Sequence, residues 1–401
     1  MQIIPNAKLD LKFLDWPVYM AQAISLAQNV INTSPNPRVG CAIVCQSGQL
    51  ALGWHEKPGH AHAEIMALSS AKASGLNVNG ATVFVSLEPC AHHGRTGPCA
   101  EALVNAGVEK VVIATLDPNP IVAGKGVAIM ESAGIEVTHL PDFEEQARSI
   151  NPGFFKRMET GLPFVRVKLA MSLDGRTALA NGESQWITSA DSRRDVQRLR
   201  ASVSAVVTGV ESVLKDDPLM NVRAEALGLT GIEKASNKLS LSKQPLRVIL
   251  DSALRTPPSA KIYGPGSVKV FTLASKQVMA AYSESIPAGC NVQVINTPAA
   301  LIKGKKRVNL LSVLESLAQI ECNEVLVEAG STLCGAFIDA KLVDELVVYI
   351  APKLLGADSK PLLELKELTL LAQAPQFRVA ELRQVGADIK VVLRPQAVVS
   401  E

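Results

Sequence analysis

His62-Ala63-Glu64, then Pro89-Cys90 and Pro98-Cys99, form the stretch that decides how this chain is read. HAEIMALSSAKASG (62–75) carries apolar residues at helical spacing with Gly75 as a stop, and ATVFVSL (81–87) reads as a buried strand. A second helix is expected from Pro98 to about Ala106, with Pro98 suited to its first position. His62, Cys90 and Cys99 therefore stand at the starts of successive segments, one imidazole and two thiols. Structural zinc sites are usually closed by four protein ligands, whereas three ligands leave a position for water. Two thiolates cancel the metal's charge and acidify bound water less than three imidazoles would, so a base is needed. Glu64, two residues after a ligand on the same helical turn, can reach that water without ligating.

The alternation continues on both sides. A helix is expected over Val18–Asn32, a strand over Val39–Val44, and another strand over Lys110–Leu116. This order predicts an α/β domain with a mostly parallel sheet covered by helices on both faces. Between Pro141 and Pro163 lie an acidic helix-like stretch and two Gly/Pro breaks, and the boundary is placed there, giving domains 1–150 and 151–401. A second α/β pattern follows, with strands at FVRVKLAMS, SAVVTG, LRVILDS, VKVFTLA, EVLVEAG, ELVVYIAP and DIKVVLRP. The small, polar run from Ala224 to Gln244 reads as a surface loop inserted into the second domain.

Composition narrows the classes. At roughly 150 residues per domain, 401 residues imply two or three domains. Forty Lys plus Arg against 38 Asp plus Glu give a net charge of +2, which leaves no broad basic footprint for nucleic acid or an anionic membrane. Hydrophobic residues at 47% support a buried core, and no apolar run reaches membrane-spanning length. The start lacks the apolar run of a secretory signal, and seven cysteines are an odd number, so a cytoplasmic chain with reduced thiols is expected. Five of the six histidines (His55, His60, His62, His92, His93) cluster near Cys90 and Cys99. Cys41, Cys45, Cys290, Cys322 and Cys334 sit in apolar stretches and read as core.

The second half has no G-x-G-x-x-G, so the usual Rossmann fingerprint is missing. Strand ends running straight into helices at VVTGVES (206–212) and VEAGSTLCGAF (327–337) leave backbone N–H groups free, a geometry that binds phosphate.

H-x-E followed by P-C and a further Cys resembles the zinc-dependent pyrimidine deaminase pattern. Where that pattern has two residues between the cysteines, this chain has AHHGRTGP (91–98), a polar, basic insertion suited to an anionic substrate. PNPRVG (35–40), HAE, SLEPCAHHGRTGPC, DPNPIVAGKG, KLAMSLDGRTA, GESQWITS, VEAGST and VDELVVYIAPKLLG occur in an order that closely resembles the bifunctional riboflavin-biosynthesis deaminase-reductase family. The resemblance covers nearly the whole chain apart from the termini and the Ala224–Gln244 stretch.

It implies a cytidine-deaminase-like three-layer domain followed by a dihydrofolate-reductase-like domain. It assigns His62, Cys90 and Cys99 to Zn2+ and Glu64 to proton transfer, with Asn36, His55, His92, Arg95, Asp117 and Asn119 in the deaminase pocket. His55 taken alone reads as a surface histidine. For the reductase the resemblance implies NADPH against Ala170, Trp186, Ser212, Asp216 and Ser252 and the turn Gly330, Ser331, Thr332, Leu333, Cys334, Gly335 and Ala336. Substrate contacts fall on Ser184, Arg200, Met220, Arg223 and Glu328. Arg200 and Arg223 suit a guanidinium clamp for a ribose phosphate, and Lys168 is a further candidate for stabilising developing charge. The implied partner is a small phosphorylated pyrimidine, with no nucleic acid and no membrane, and a homo-oligomer is expected. A nucleoside or tRNA deaminase with a binding module, or a scaffold with structural zinc, are the competing readings. The neutral charge weighs against the first, Glu64 and the open metal position against the second.

Overall fold

Cys41 and Ile43 of strand β1 (Gly40–Val44) point to one side of a sheet and Ala42 and Val44 to the other, so both faces of this strand are buried. The computed structural model describes residues 15–91, 97–302 and 304–396. The expectations placed on His92 and Arg95 lie outside the described residues. Helix α1 (Trp16–Ala27), β1, β2 (Leu50–Trp54), α2 (Ala63–Ala73), β3 (Thr82–Val85), α3 (Cys99–Asn105), β4 (Lys110–Ile113), α4 (Lys125–Ser132), β5 (Glu136–His139), α5 (Glu144–Ile150) and α6 (Pro152–Thr160) follow in order. The sheet order is β2-β1-β3-β4-β5. Residues of α1 and α5 join Phe84 and Val112 in a core on one face, and residues of α2, α3 and α4 join Val83, Val85, Val111 and Ile113 on the other. These are the three expected layers.

The sheet is mixed, which corrects the mostly parallel expectation. β1 runs antiparallel to both β2 and β3, while β3, β4 and β5 are parallel. A connection of a few residues from Val44 to Leu50 can only return antiparallel, since a parallel crossover needs a dozen residues or more. β2 escaped the sequence reading because LALGW is short, half-buried and interrupted by Gly53. That glycine is required: a Cβ there would meet Ala63 O and Ala67 N, each at 2.3 Å, so its absence lets α2 lie directly on β2.

Chain contacts divide the protein into two units, the described part of Met1–Gly161 with Leu229–Ser242, and Leu162–Gly228 with the described part of Lys243–Glu401. The division falls at Gly161, later than the expected 150/151, because α6 buries Phe154 and Phe155 against Leu87.

The remaining elements are β6 (Phe164–Ser172), β7 (Arg176–Ala178), α7 (Ala190–Ser202), β8 (Ala205–Gly209), α8 (Val210–Asp216), α9 (Gly231–Asn237), β9 (Leu246–Leu250), β10 (Ser267–Thr272), α10 (Lys276–Ser285), β11 (Asn291–Asn296), β12 (Ala299–Ile302), β13 (Lys305–Val308), α11 (Leu310–Gln319), β14 (Glu324–Val327), α12 (Ser331–Asp339), β15 (Glu345–Ala351), β16 (Lys360–Pro361), β17 (Phe377–Val385) and β18 (Asp388–Pro395). The second unit is built on a nine-stranded sheet, β11-β10-β9-β8-β14-β6-β15-β18-β17. It is parallel from β11 to β15 and closes with the antiparallel hairpin β17–β18. Val165, Val167 and Leu169 of β6 enter the core under α11 and α12, while Ala170 packs with residues of α7 on the opposite face.

The Ala224–Gln244 stretch is structured, contrary to expectation. Thr230 and Glu233 form a reciprocal capping box for α9. Asn237 is buried, its Oδ1 accepting from Ile31 N at 2.7 Å and its Nδ2 donating to Asn29 O at 2.9 Å, which ties Leu229–Ser242 to the first unit. Among the described residues no helix is long and apolar enough to cross a membrane.

Candidate metal centre and strand-end site

His62 stands at the entry to α2 with extended backbone, so its ring projects from the helix start. Cys90 follows β3, and Cys99 is the first residue of α3, with Pro98 immediately outside the helix and not in its first position. His62 Nδ1 lies 3.5 Å from Cys90 Sγ and 3.4 Å from Cys99 Sγ, and the ligand atoms are all within 4.8 Å of one another. Tetrahedral zinc with ordinary Zn–S and Zn–N bonds would hold sulfur and nitrogen about 3.6 Å apart, so the donor set fits. Cys99 N donates to Cys90 Sγ at 3.3 Å. The hydrogen bond from the Cys99 thiol pulls the Cys90 thiol down to about 4, aided by His62 and opposed by burial. Cys99, the donor of that pair, is pushed up.

Glu64, in the first turn of α2, is 3% exposed. Burial, and then the charge on Cys90, push its carboxyl up to about 7, with His62 opposing.

Asn36 and His55 meet beside this centre. His55 Nδ1 lies 3.0 Å from Ala61 O and Nε2 lies 3.1 Å from Asn36 Nδ2. A carbonyl only accepts and an amide NH2 only donates, so the ring is neutral with its proton on Nδ1. Burial pushes His55 down to about 4, the Ala61 carbonyl partly opposing. The surface reading of His55 is thereby corrected: it is 2% exposed, its ring 5.3 Å from that of His62 and edge-on to it. Asp117 Oδ1 accepts from Asn119 N at 2.8 Å, and burial raises Asp117 to about 6, the Asn119 N–H opposing and Glu88 adding. Glu88 itself, 3% exposed, went unread in the sequence. An acidic residue two positions before a ligand was the available signal.

In the second unit the expected residues gather at the carboxyl ends of parallel strands, where open α/β sheets bind ligands. Lys168 and Ala170 lie on β6, Ser212 and Asp216 on α8 after β8, Ser252 after β9, and Glu328 and Gly330 after β14. Ser184 receives Lys215 Nζ at 3.4 Å, and the exposed Trp186 carries the Arg193 guanidinium 4.4 Å from its ring centre. Gly330 leaves the first turn of α12 without a side-chain cap. The hydroxyls of Ser331 and Thr332 hold the Glu364 carboxylate at 3.2 and 3.1 Å. Cys334, Gly335 and Ala336, however, are buried, Cys334 and Ala336 in the core, so the accessible part of this turn is Gly330–Leu333.

Arg200 departs from the clamp expectation. Its Nε and Nη2 donate to the two oxygens of Glu328 at 2.5 and 3.0 Å, its Nη1 to Asn221 O at 3.2 Å, and Nη2 lies 3.6 Å from Met220 Sδ. A fork already engaged by a carboxylate is not open to a phosphate. Arg223 is exposed. The half-buried Lys168 is pushed down by desolvation, with Glu328 opposing and Arg200 adding.

Residues 17–115 match the cytidine and deoxycytidylate deaminase zinc-binding region, and residues 163–391 match the RibD C-terminal domain. The chain is 45% identical to the riboflavin biosynthesis protein RibD of Haemophilus influenzae over 95% of this chain and 98% of that one. To the RibD of Escherichia coli it is 44% identical over 92% and 97%. Among solved structures it is similar to Acinetobacter baumannii RibD, with TM-score 0.84, 41% identity and coverage of 96% and 100%. It is also similar to a diaminohydroxyphosphoribosylaminopyrimidine deaminase/5-amino-6-(5-phosphoribosylamino)uracil reductase from Thermotoga maritima, with TM-score 0.79, 31% identity and coverage of 95% and 99%. A deaminase-type metal centre and a strand-end site in one chain, with relatives spanning both, make this protein a member of the RibD family of bifunctional riboflavin-biosynthesis deaminase-reductases.

Proposed function

We propose that the first unit deaminates 2,5-diamino-6-(5-phospho-ribosylamino)pyrimidin-4-one and that the second reduces the ribosyl group of the product to the ribityl form with NADPH. The observation that carries this is the convergence of His62, Cys90 and Cys99 beside the buried carboxyl of Glu64, two residues from His62 in the first turn of α2. Zn2+, when bound, supplies an activated water at the ring carbon that loses its amine. His62, Cys90 and Cys99 would hold it. Glu64 takes a proton at its carboxylate and delivers it to the leaving nitrogen. Asn36, oriented by the neutral His55, presents its amide to the pyrimidine, and Asp117 and Asn119 form the facing wall. His92 and Arg95 belong to the same pocket by family resemblance.

In the second unit we assign the dinucleotide phosphate to the backbone N–H groups at the start of α12, which Gly330 leaves without a side-chain cap, and to the strand ends around Ser212 and Ser252, the Ser331 and Thr332 hydroxyls being engaged by Glu364. NADPH, when bound, supplies the hydride. Trp186, Asp216 and Ala170 flank its site, Ser184, Met220 and Arg223 hold the substrate, and Arg200 acts through Glu328. Lys168 places positive charge near the reacting sugar. We further assign a cytoplasmic homo-oligomer.

The test is incubation of the purified full chain with the diaminopyrimidinone phosphate, with and without NADPH, followed by ammonia assay and mass identification. Ammonia without NADPH and a ribitylamino product only with it are expected. Reduction without prior deamination, or no ammonia from the zinc-loaded protein, would refute the assignment.

A further inference from the structure

Glu88 directly follows Leu87 at the end of the β3 segment and precedes Cys90 by two residues, yet it touches neither the imidazole nor the thiols in the bonds it makes. Its Oε2 accepts from Asp117 N at 3.2 Å and Gly124 N at 3.0 Å, and its Oε1 from Gly126 N at 3.0 Å and Val127 N at 3.3 Å. All four donors are backbone N–H groups, and they span the segment that carries Asp117 and Asn119 into the first turn of α4. Charge-assisted bonds of this kind are about twice as strong as neutral ones, and a carboxylate at a helix start also gains from the helix dipole. The same segment is pressed onto the ligand-bearing strand end: a Cβ on Gly126 would meet Pro89 O at 1.9 Å, one residue from Cys90.

We propose that Glu88 is a positioning residue for deamination. Its buried carboxylate fixes the Asp117–Val127 segment against the backbone that delivers Cys90, and so sets the distance between the pocket wall and the metal centre. The inference rests on the deaminase reading above for its consequence, but the tether itself is independent of that reading. Four N–H groups need an acceptor at both carboxylate oxygens. Glutamine preserves shape but turns an NH2 group toward two of the donors. Aspartate preserves charge but falls one methylene short.

The experiment compares wild type, Glu88→Gln, Glu88→Asp and Gly126→Ala as full-length, zinc-loaded proteins. Amide hydrogen exchange by mass spectrometry, zinc content, deaminase kcat and KM, and reduction of the already deaminated substrate are measured on each. Glu88→Gln should accelerate exchange in peptides covering 117–127 and raise the deaminase KM about tenfold or more, a loss on the scale of one or two charged hydrogen bonds. Zinc content and reduction should hold, and Glu88→Asp should recover part of the KM. Gly126→Ala, whose Cβ would meet Pro89 O at 1.9 Å and Glu88 Oε1 at 3.2 Å, drives the start of α4 off both while keeping the Glu88 side chain itself. It should therefore raise KM and accelerate exchange over 117–127 in the same direction, and it decides the matter should Glu88→Gln fail to fold. Unchanged exchange over 117–127, or loss of zinc and kcat at constant KM, would overturn the proposal, the latter because Glu88 would then act through Cys90. A wild-type chain that does not deaminate would sink the functional reading, while the exchange data would still decide whether Glu88 holds the segment.

Discussion

Replacing Glu328 with Gln removes the anion from a buried ion pair and leaves the Arg200 guanidinium without its countercharge. The Arg200 and Glu328 side chains are 15% and 9% exposed, so solvent screening is limited. Of the two charge-assisted bonds at 2.5 and 3.0 Å, each contributing about 1.5–3 kcal/mol, one is lost to a donor-against-donor contact with the amide NH2 and the other is left with a neutral acceptor. Measurements on other buried pairs give about 3–5 kcal/mol when one partner is removed. A unit of this size shifts its melting temperature by about 2–4 °C per kcal/mol, so the second unit should melt about 6–20 °C lower. Calorimetry of the full chain reads this directly. The same substitution in an Arg200→Met background should cost less than half as much, because no buried guanidinium is then orphaned. The sign with pH is also set. Burial pushes Glu328 up, but Arg200 outweighs it and holds the carboxyl below its ordinary value. The pair's stability is therefore present above the unfolded carboxyl pKa of about 4.3 and is lost as pH falls below it. Desolvation already lowers Lys168 and Glu328 opposes it, so Glu328→Gln moves the Lys168 titration to lower pH. A melting shift below about 2 °C, under 1 kcal/mol on the same scale, would show that water screens the pair and refute this reasoning.

Glu64→Gln should keep its zinc, lose about 10²- to 10⁴-fold in deaminase kcat and leave reduction unaffected, read by metal analysis and the two separate assays. Cys99→Ser should lose zinc by the same analysis, since it removes one of the three converging ligands. His55 is lowered from an ordinary 6.5 to about 4, so its contribution to stability is complete above pH 6.5 and is lost as pH falls from there toward 4, about 3 kcal/mol in all. Urea titrations across that window should flatten in His55→Gln. Arg223→Ala should reduce the reductase specificity constant about tenfold more for the phosphorylated substrate than for its dephosphorylated analogue, as expected for one charged hydrogen bond.

The metal centre was legible in the linear chain because zinc ligands are a scarce combination of side chains, and their placement at segment starts follows from local helix and strand signals. Glu64 came with them, since two residues along one helical turn is a local relation. Central strands were equally plain: β14 carries the apolar run Val325–Val327, and in β6 Val165, Val167 and Leu169 alternate with Arg166 and Lys168, a pattern legible without any particular neighbour. What lay beyond the sequence depends on partners distant along the chain. The antiparallel pairing of β1 with β2 hinged on a short strand containing Gly53, and the edge strands β11 and β17 lack a buried face that would impose alternation. The stretch that forms α9 reads as a loop because it is small and polar, and its attachment to the first unit rests on Asn237 reaching the backbone of Asn29 and Ile31, more than 200 residues away. Arg200 has the composition of a phosphate ligand, and only the fold brings Glu328, 128 residues later, into its fork. The charge state of His55 was decided in the same way, since a histidine's pKa belongs to its surroundings, and burial beside Ala61 and Asn36 is a property of the folded chain alone.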